Sequence, residues 1–180
     1  MRLFIAADLP EEMLGAMAEA REVLRRHAGR ISPTRDQNLH LTLRFLGEVQ
    51  QEKLPGLRRL IRSLPFGGSM ALTHYGSFPS PEGLTLWAGL RLDEAALHMA
   101  RQTEKGLRAL GFPPENRPFV PHVTLARRAE LLEPLERLRP LLPLRPEAAP
   151  LAGLTLYQSL LGPGGPRYTA LERLENPLFG

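Results

Sequence analysis

The tetrads His40-Leu41-Thr42-Leu43 and His122-Val123-Thr124-Leu125 hold the side chains of this sequence best suited to chemistry. Each sets an imidazole and a hydroxyl two positions apart, with apolar residues between and after them. Strand side chains alternate faces, so His40 and Thr42 share one face while Leu41 and Leu43 enter the core. On a helix the same pair would lie about 200° apart and share nothing. A lone strand histidine is usually a satisfied structural residue. Two copies of a tetrad expected well under once in a chain with five histidines argue for function. Imidazole titrates near neutral pH, so two of them facing one cleft offer a general base and a general acid.

That pairing suits displacement at phosphorus. One group takes a proton from the attacking oxygen, another protonates the leaving oxygen, and Thr42, Thr124 and an arginine donate to the phosphoryl oxygens. Zinc wants three or four protein ligands, and neither His-x-x-x-His nor an acidic triad accompanies the tetrads, so no metal or cofactor is expected. The chain has no cysteine, which removes thiolate nucleophiles and Cys-based metal sites. The other histidines are weaker candidates. His27 ends a helix and answers its dipole, His98 lies on a helix surface, and His74 reads as incidental.

The elements that must position the tetrads follow from periodicity. Strands are expected over Leu3–Asp8, Leu39–Leu46, Met70–Phe78, Leu84–Leu90, Val120–Arg127, Leu151–Leu161 and Tyr168–Leu174. Helices are expected over Glu11–His27 (ended by Gly29), Gln51–Leu64, Asp93–Leu110 with Asp93 as cap, and a proline-broken stretch near Leu131–Leu142. Arg30–Asn38 reads as a polar loop. A shift of 82 residues lays His40–Leu43 on His122–Leu125 and Leu72–Phe78 on Leu154–Leu160. The same shift brings Glu12, Met17, Glu22 and Arg26 onto Glu94, Met99, Glu104 and Arg108. Three segments agree on one ungapped offset. The expected organisation is a single domain, 1–180, of two duplicated β-α-β-α-β units, about 1–82 and 83–164, with a C-terminal strand at 165–180.

Composition adds bounds. At 180 residues and 43% hydrophobic, the chain can bury a real core. No apolar run approaches a membrane span and the N-terminus lacks a signal-peptide layout, so a cytoplasmic location is expected, with no membrane and no obligate protein partner. Lys53 and Lys105 are the only lysines among 23 Lys and Arg; the net charge of +4 is compatible with an RNA partner but points weakly. Aromatics are only 6%, with Trp87 the one tryptophan, which disfavours a purely RNA-binding, base-stacking module.

Paired His-x-Thr-x motifs about 80 residues apart resemble the two-histidine phosphoesterases. Asn38-Leu39-His40-Leu41-Thr42-Leu43-Arg44-Phe45-Leu46-Gly47-Glu48-Val49 narrows the likeness to the bacterial and archaeal RNA 2′,3′-cyclic phosphodiesterases, also called 2′-5′ RNA ligases. Arg2–Ala6, Asn116–Arg127, Tyr157-x-Ser159 and Tyr168-x-x-Leu171 match as well. The resemblance implies a bilobal α+β fold, with two antiparallel sheets lining a central cleft and helices outside. It also implies metal-independent opening of RNA or nucleoside 2′,3′-cyclic phosphates to 2′-phosphomonoesters. The alternative is 2′-5′ joining of a cyclic-phosphate end to a 5′-hydroxyl end by the same residues. Carried over by position, His40 is the proton donor, His122 the proton acceptor, Thr42 and Thr124 phosphate hydrogen-bond donors, and Arg127 the phosphate-pairing cation. Arg44, Phe45 and Tyr157 are candidate substrate contacts. The motifs are nearly symmetric, so the residues themselves do not tell acid from base.

Overall fold

In the computed structural model, which describes residues 1–178, nine strands and four α-helices form two antiparallel sheets over one shared core. The elements are β1 (Arg2–Asp8), α1 (Glu11–Arg26), β2 (Ala28–Pro33), β3 (Leu41–Glu48), α2 (Leu54–Ser63), β4 (Ser69–Ser80), β5 (Gly83–Leu92), α3 (Glu94–Ala109), β6 (His122–Leu131), α4 (Leu135–Leu138), β7 (Arg145–Pro150), β8 (Gly153–Gly162) and β9 (Gly165–Glu175). The first sheet runs β3-β1-β8-β9 and the second β2-β6-β5-β4-β7. Each draws its strands from both halves of the chain, because β1 pairs β8 and β5 pairs β4. The fold is therefore α+β, with each sheet interleaving the two halves. Phe179 and Gly180, at the end of the expected C-terminal strand, lie outside the described residues.

The helices sit where their apolar stripes meet the sheets. α1 places Met13, Met17, Ala20 and Leu24 in the core and packs on β2, β6 and β7. Its first turn carries Glu11 and Glu12 and its last Arg25 and Arg26, as the helix dipole favours. Asp93 caps α3: one carboxylate oxygen accepts from Ala96 N and the other from Ser69 N, both at 2.9 Å, which joins the helix start to β4. Gly111, at φ 78°, ends that helix in the left-handed region. α2 packs on β8 and β9. None of the described helices is long and apolar enough to cross a membrane.

Three segments differ from their sequence reading. Arg30–Asn38 is not all loop: β2 takes Ala28–Pro33 and pairs with β6. His27, not Gly29, caps α1, and Gly29 lies within that strand. β7 (Arg-Pro-Glu-Ala-Ala-Pro) was not anticipated; it pairs with β4 at the sheet edge, where proline is tolerated. Both are edge strands, largely solvated, so neither shows hydrophobic alternation. The expected helix at Leu131–Leu142 shrinks to α4 and one 3-10 turn, because β6 extends to Leu131 and Pro134 and Pro140 limit the rest.

Candidate active site

His40 immediately precedes β3 and His122 opens β6, so each imidazole stands at the start of a strand. The Nδ1 of His40 lies 2.7 Å from the Asn38 carbonyl oxygen, and the Nδ1 of His122 lies 2.6 Å from that of Val120. A carbonyl only accepts, so both rings carry their neutral-state proton on Nδ1 and leave Nε2 as the reactive nitrogen. The holding carbonyl stands two residues before the histidine in both cases. At rest the Thr42 hydroxyl donates to Nε2 of His40 at 2.9 Å. β3 and β6 meet between the two sheets, which brings both motifs to one cleft, and the charges of Arg127 and His122 act on His40 there.

Two β-bulges decide what else faces that cleft. Simple alternation would put Arg127 on the face opposite His122 and Thr124. In the β5–β6 pairing, Trp87 stands opposite Thr124 and Leu86 opposite Ala126, so Leu125 is an extra residue. Leu125 and Ala126 are both fully buried, so the next residue, the exposed Arg127, returns to the histidine face, just before a second irregularity between Ala126 and Ala129 in the same pairing. The β1–β3 pairing repeats the device. Ala6 opposes Thr42 and Ile5 opposes Arg44, which leaves Leu43 extra and turns Phe45, opposite Phe4, into the cleft. The bulges at Leu43 and Leu125 are 82 residues apart.

Arg44 consequently does not reach the cleft. It is 8% exposed, and its guanidinium donates to Glu104 Oε2 of α3 at 2.6 Å, to the Phe45 carbonyl at 3.2 Å and to the Pro113 carbonyl. The candidate substrate contact is instead a clamp between β3 and α3. Arg44→Met should cost about 1–3 kcal/mol in urea unfolding, through the acceptors it strands, while kcat stays within about threefold of wild type. A loss of kcat without a loss of stability would return Arg44 to the site.

The cleft is more aromatic than composition implied. The chain has seven Phe, three Tyr and one Trp. Phe4, Phe45, Tyr157 and Tyr168 gather around His40, with Phe4 and Tyr168 at ring-centroid distances of 4.9 and 5.3 Å from the imidazole. Phe78 and Trp87 flank His122 at 5.3 and 5.9 Å. His74, read as incidental, meets Trp87 edge-on at 5.5 Å. Gly76 makes room for this shelf: a Cβ there would lie 2.3 Å from the Trp87 ring. Phe4 escaped the sequence reading as a site residue because β1 is buried on both faces and shows no alternation.

Tyr157 lies in the cleft wall, but its hydroxyl is engaged, donating to Asp8 Oδ1 at 2.8 Å. Asp8 also accepts from Thr155 at 2.7 Å and from Arg173 at 3.1 Å. Burial, with Asp8 second, pushes the Tyr157 hydroxyl up to about 12, so it stays a neutral donor. Among the described residues, no three His, Cys, Asp or Glu side chains are arranged to hold a metal ion.

Two antiparallel sheets that each present an imidazole beside a hydroxyl to one cleft define a two-histidine phosphoesterase. The chain belongs to the LigT like phosphoesterase family, whose model matches residues 7–87 and 91–168. It is 37% identical to the RNA 2′,3′-cyclic phosphodiesterase of Thermus thermophilus, over 96% of this chain and 89% of that protein. It is 34% identical to the Escherichia coli protein of the same name, over 96% and 94% of the two chains. Among solved structures it superimposes on TT0787 of Thermus thermophilus with a TM-score of 0.78, at 34% identity and 97% coverage of both. Escherichia coli LigT complexed with 3′-AMP gives 0.75, at 31% identity and 98% coverage of both.

Proposed function

We propose that this enzyme hydrolyses the 2′,3′-cyclic phosphate ends of RNA, or of nucleotides, to 2′-phosphomonoesters without a metal ion. The observation that carries the reading is the matched pair of imidazoles, each held by a backbone carbonyl at Nδ1 with Nε2 toward one cleft. His122 Nε2 accepts a proton from water as the water oxygen bonds to phosphorus. The P–O3′ bond breaks, and imidazolium Nε2–H of His40 protonates the departing 3′ oxygen. One imidazole gains a proton and the other loses one, and solvent exchange resets both. Thr42, Thr124 and Arg127 donate to the phosphoryl oxygens as charge grows there. For this, the Thr42 hydroxyl turns from His40 Nε2 toward the phosphate. Hydrolysis is preferred to joining because water vastly outnumbers any second RNA end.

The test is turnover of each nucleoside 2′,3′-cyclic phosphate and of an RNA with a cyclic end, with products assigned by phosphorus NMR. A 2′-monophosphate, formed at an unchanged rate in excess EDTA, is expected. A 3′-monophosphate would reverse the identity of the leaving oxygen. Predominant 2′-5′ joining to an added 5′-hydroxyl RNA would favour the ligase, and absence of any turnover would end the proposal.

The pH dependence follows from the surroundings of His40. Burial lowers its pKa below the ordinary 6.5, opposed by the Asn38 carbonyl and Asp8 and assisted by the charges of Arg127 and His122. The free enzyme at pH 7 therefore holds His40 mostly neutral. A bound phosphate anion beside it favours the imidazolium. A proton donor loses activity as pH rises through its pKa, so the alkaline limb of kcat/KM should lie at lower pH than that of kcat. Coincident alkaline limbs would show that substrate does not supply His40 with its charge.

A further inference from the structure

The cleft floor of the first sheet is polarised from end to end. Along β1 the cleft-facing residues are Asp8, Ala6, Phe4 and Arg2, since Leu3, Ile5 and Ala7 enter the core. Asp8 closes one end with its carboxylate engaged by Thr155, Tyr157 and Arg173. Arg2 is exposed at the other end, one pleat, about 7 Å, beyond the Phe4 ring that packs on His40. Many arginines here face a carboxylate, such as Arg21 on Asp36 and Arg30 on Glu130. Glu48, which stands opposite Arg2 in the strand pairing, is held instead by the N-terminal ammonium at 3.2 Å. Ser159 and Tyr168 form a cross-strand pair on the same floor beside Arg2. Tyr168 packs edge-on to both Phe4 and His40, and the charges of Arg2 and Arg127 both act on its hydroxyl. The corner thus offers a guanidinium without a carboxylate partner among the described residues and two hydroxyls, one nucleotide's reach from the reacting imidazole.

We infer that Arg2, with Ser159 and Tyr168, forms a second phosphate site, which receives the 5′-phosphate of the terminal nucleotide while its cyclic phosphate lies between His40 and His122. The inference rests on the function proposed above and deepens it. The preferred substrate is then a strand end, or a nucleotide with a 5′-phosphate, rather than a bare nucleoside cyclic phosphate. A guanidinium meets a phosphate through two parallel N–H donors, which lysine cannot copy.

The experiment compares adenosine 2′,3′-cyclic phosphate with its 5′-phosphorylated form. The wild-type enzyme should favour the 5′-phosphorylated substrate by about tenfold in kcat/KM. In Arg2→Ala the ratio should fall to within about twofold of one, and Arg2→Lys should keep part of the preference. Equal kcat/KM for the two substrates in the wild type, or an unchanged ratio in Arg2→Ala, would overturn the site. Calorimetric binding of adenosine 2′-monophosphate and adenosine 2′,5′-bisphosphate separates this inference from the parent proposal. A bisphosphate preference that depends on Arg2 supports the site even if no cyclic phosphate is turned over. Equal affinities refute it even if hydrolysis is brisk. Arg2 is exposed, and an unchanged thermal midpoint confirms that its variants are folded.

Discussion

Alanine in place of either His40 or His122 should lower kcat by about 10²–10⁴-fold, the range of a positioned general acid or base. The loss should fall on kcat rather than KM, because the proton moves only in the transition state. Stability should change little, since both rings are half-buried at the cleft and neither belongs to the apolar core. The double variant should be only slightly worse than the worse single variant, because acid and base act in one event. The two singles can be told apart with a phosphodiester whose leaving group is a weakly basic phenol. Such a group departs without a proton, so the variant lacking the acid recovers much of its loss and the variant lacking the base does not. Recovery in His40→Ala identifies His40 as the donor. Recovery in His122→Ala exchanges the roles, and wild-type kcat in either variant removes the mechanism altogether.

The parts of this site that were legible in the sequence are those that depend on strict period. His-x-Thr with apolar residues between reads as a strand edge facing a cleft, and both motifs stand at the starts of strands. α1, α2 and α3 were equally plain, because their apolar residues recur at helical spacing and Asp93 announces a cap. Illegible parts depend on a break in period or on no period at all. Nothing in Leu43 or Leu125 marks it as the extra residue of a bulge, yet those residues send Phe45 into the cleft and Arg44 out of it. β2 and β7 lie on sheet edges, where alternation is not demanded. The aromatic floor was hidden by averaging: a low overall aromatic content says nothing of where Phe4, Trp87 and Tyr168 converge. The interleaving of the two halves was also hidden, since an 82-residue offset does not say which strands hydrogen-bond.

The bulge at Leu125 turns two neighbouring arginines into a sharp comparison. Uninterrupted alternation from His122 and Thr124 would bring Ala126 and Arg128 to the cleft and turn Arg127 into the core. With the bulge, Ala126 is buried and Arg127 shares the cleft with both histidines. Arg128 pairs with Glu82 at 3.3 Å, both side chains being well exposed, and takes a positive φ of 52°. Arg127→Ala should therefore lower kcat by about 10²–10³-fold, as expected when a preorganised donor to the developing phosphoryl charge is removed. Arg127→Lys should recover part of this, because it restores the charge but not the two-pronged geometry. Arg128→Ala should leave kcat within about twofold of wild type, since an exposed ion pair is worth little. Arg128→Gly should raise the thermal midpoint slightly, because glycine adopts a positive φ without strain. Steady-state kinetics on one cyclic nucleotide decides the matter. If Arg128→Ala loses activity and Arg127→Ala keeps it, alternation runs unbroken through β6 and the phosphate cation is the wrong arginine. If both lose activity by similar factors, the bulge does not select between them, and the phosphate is held by the local positive field rather than by one guanidinium.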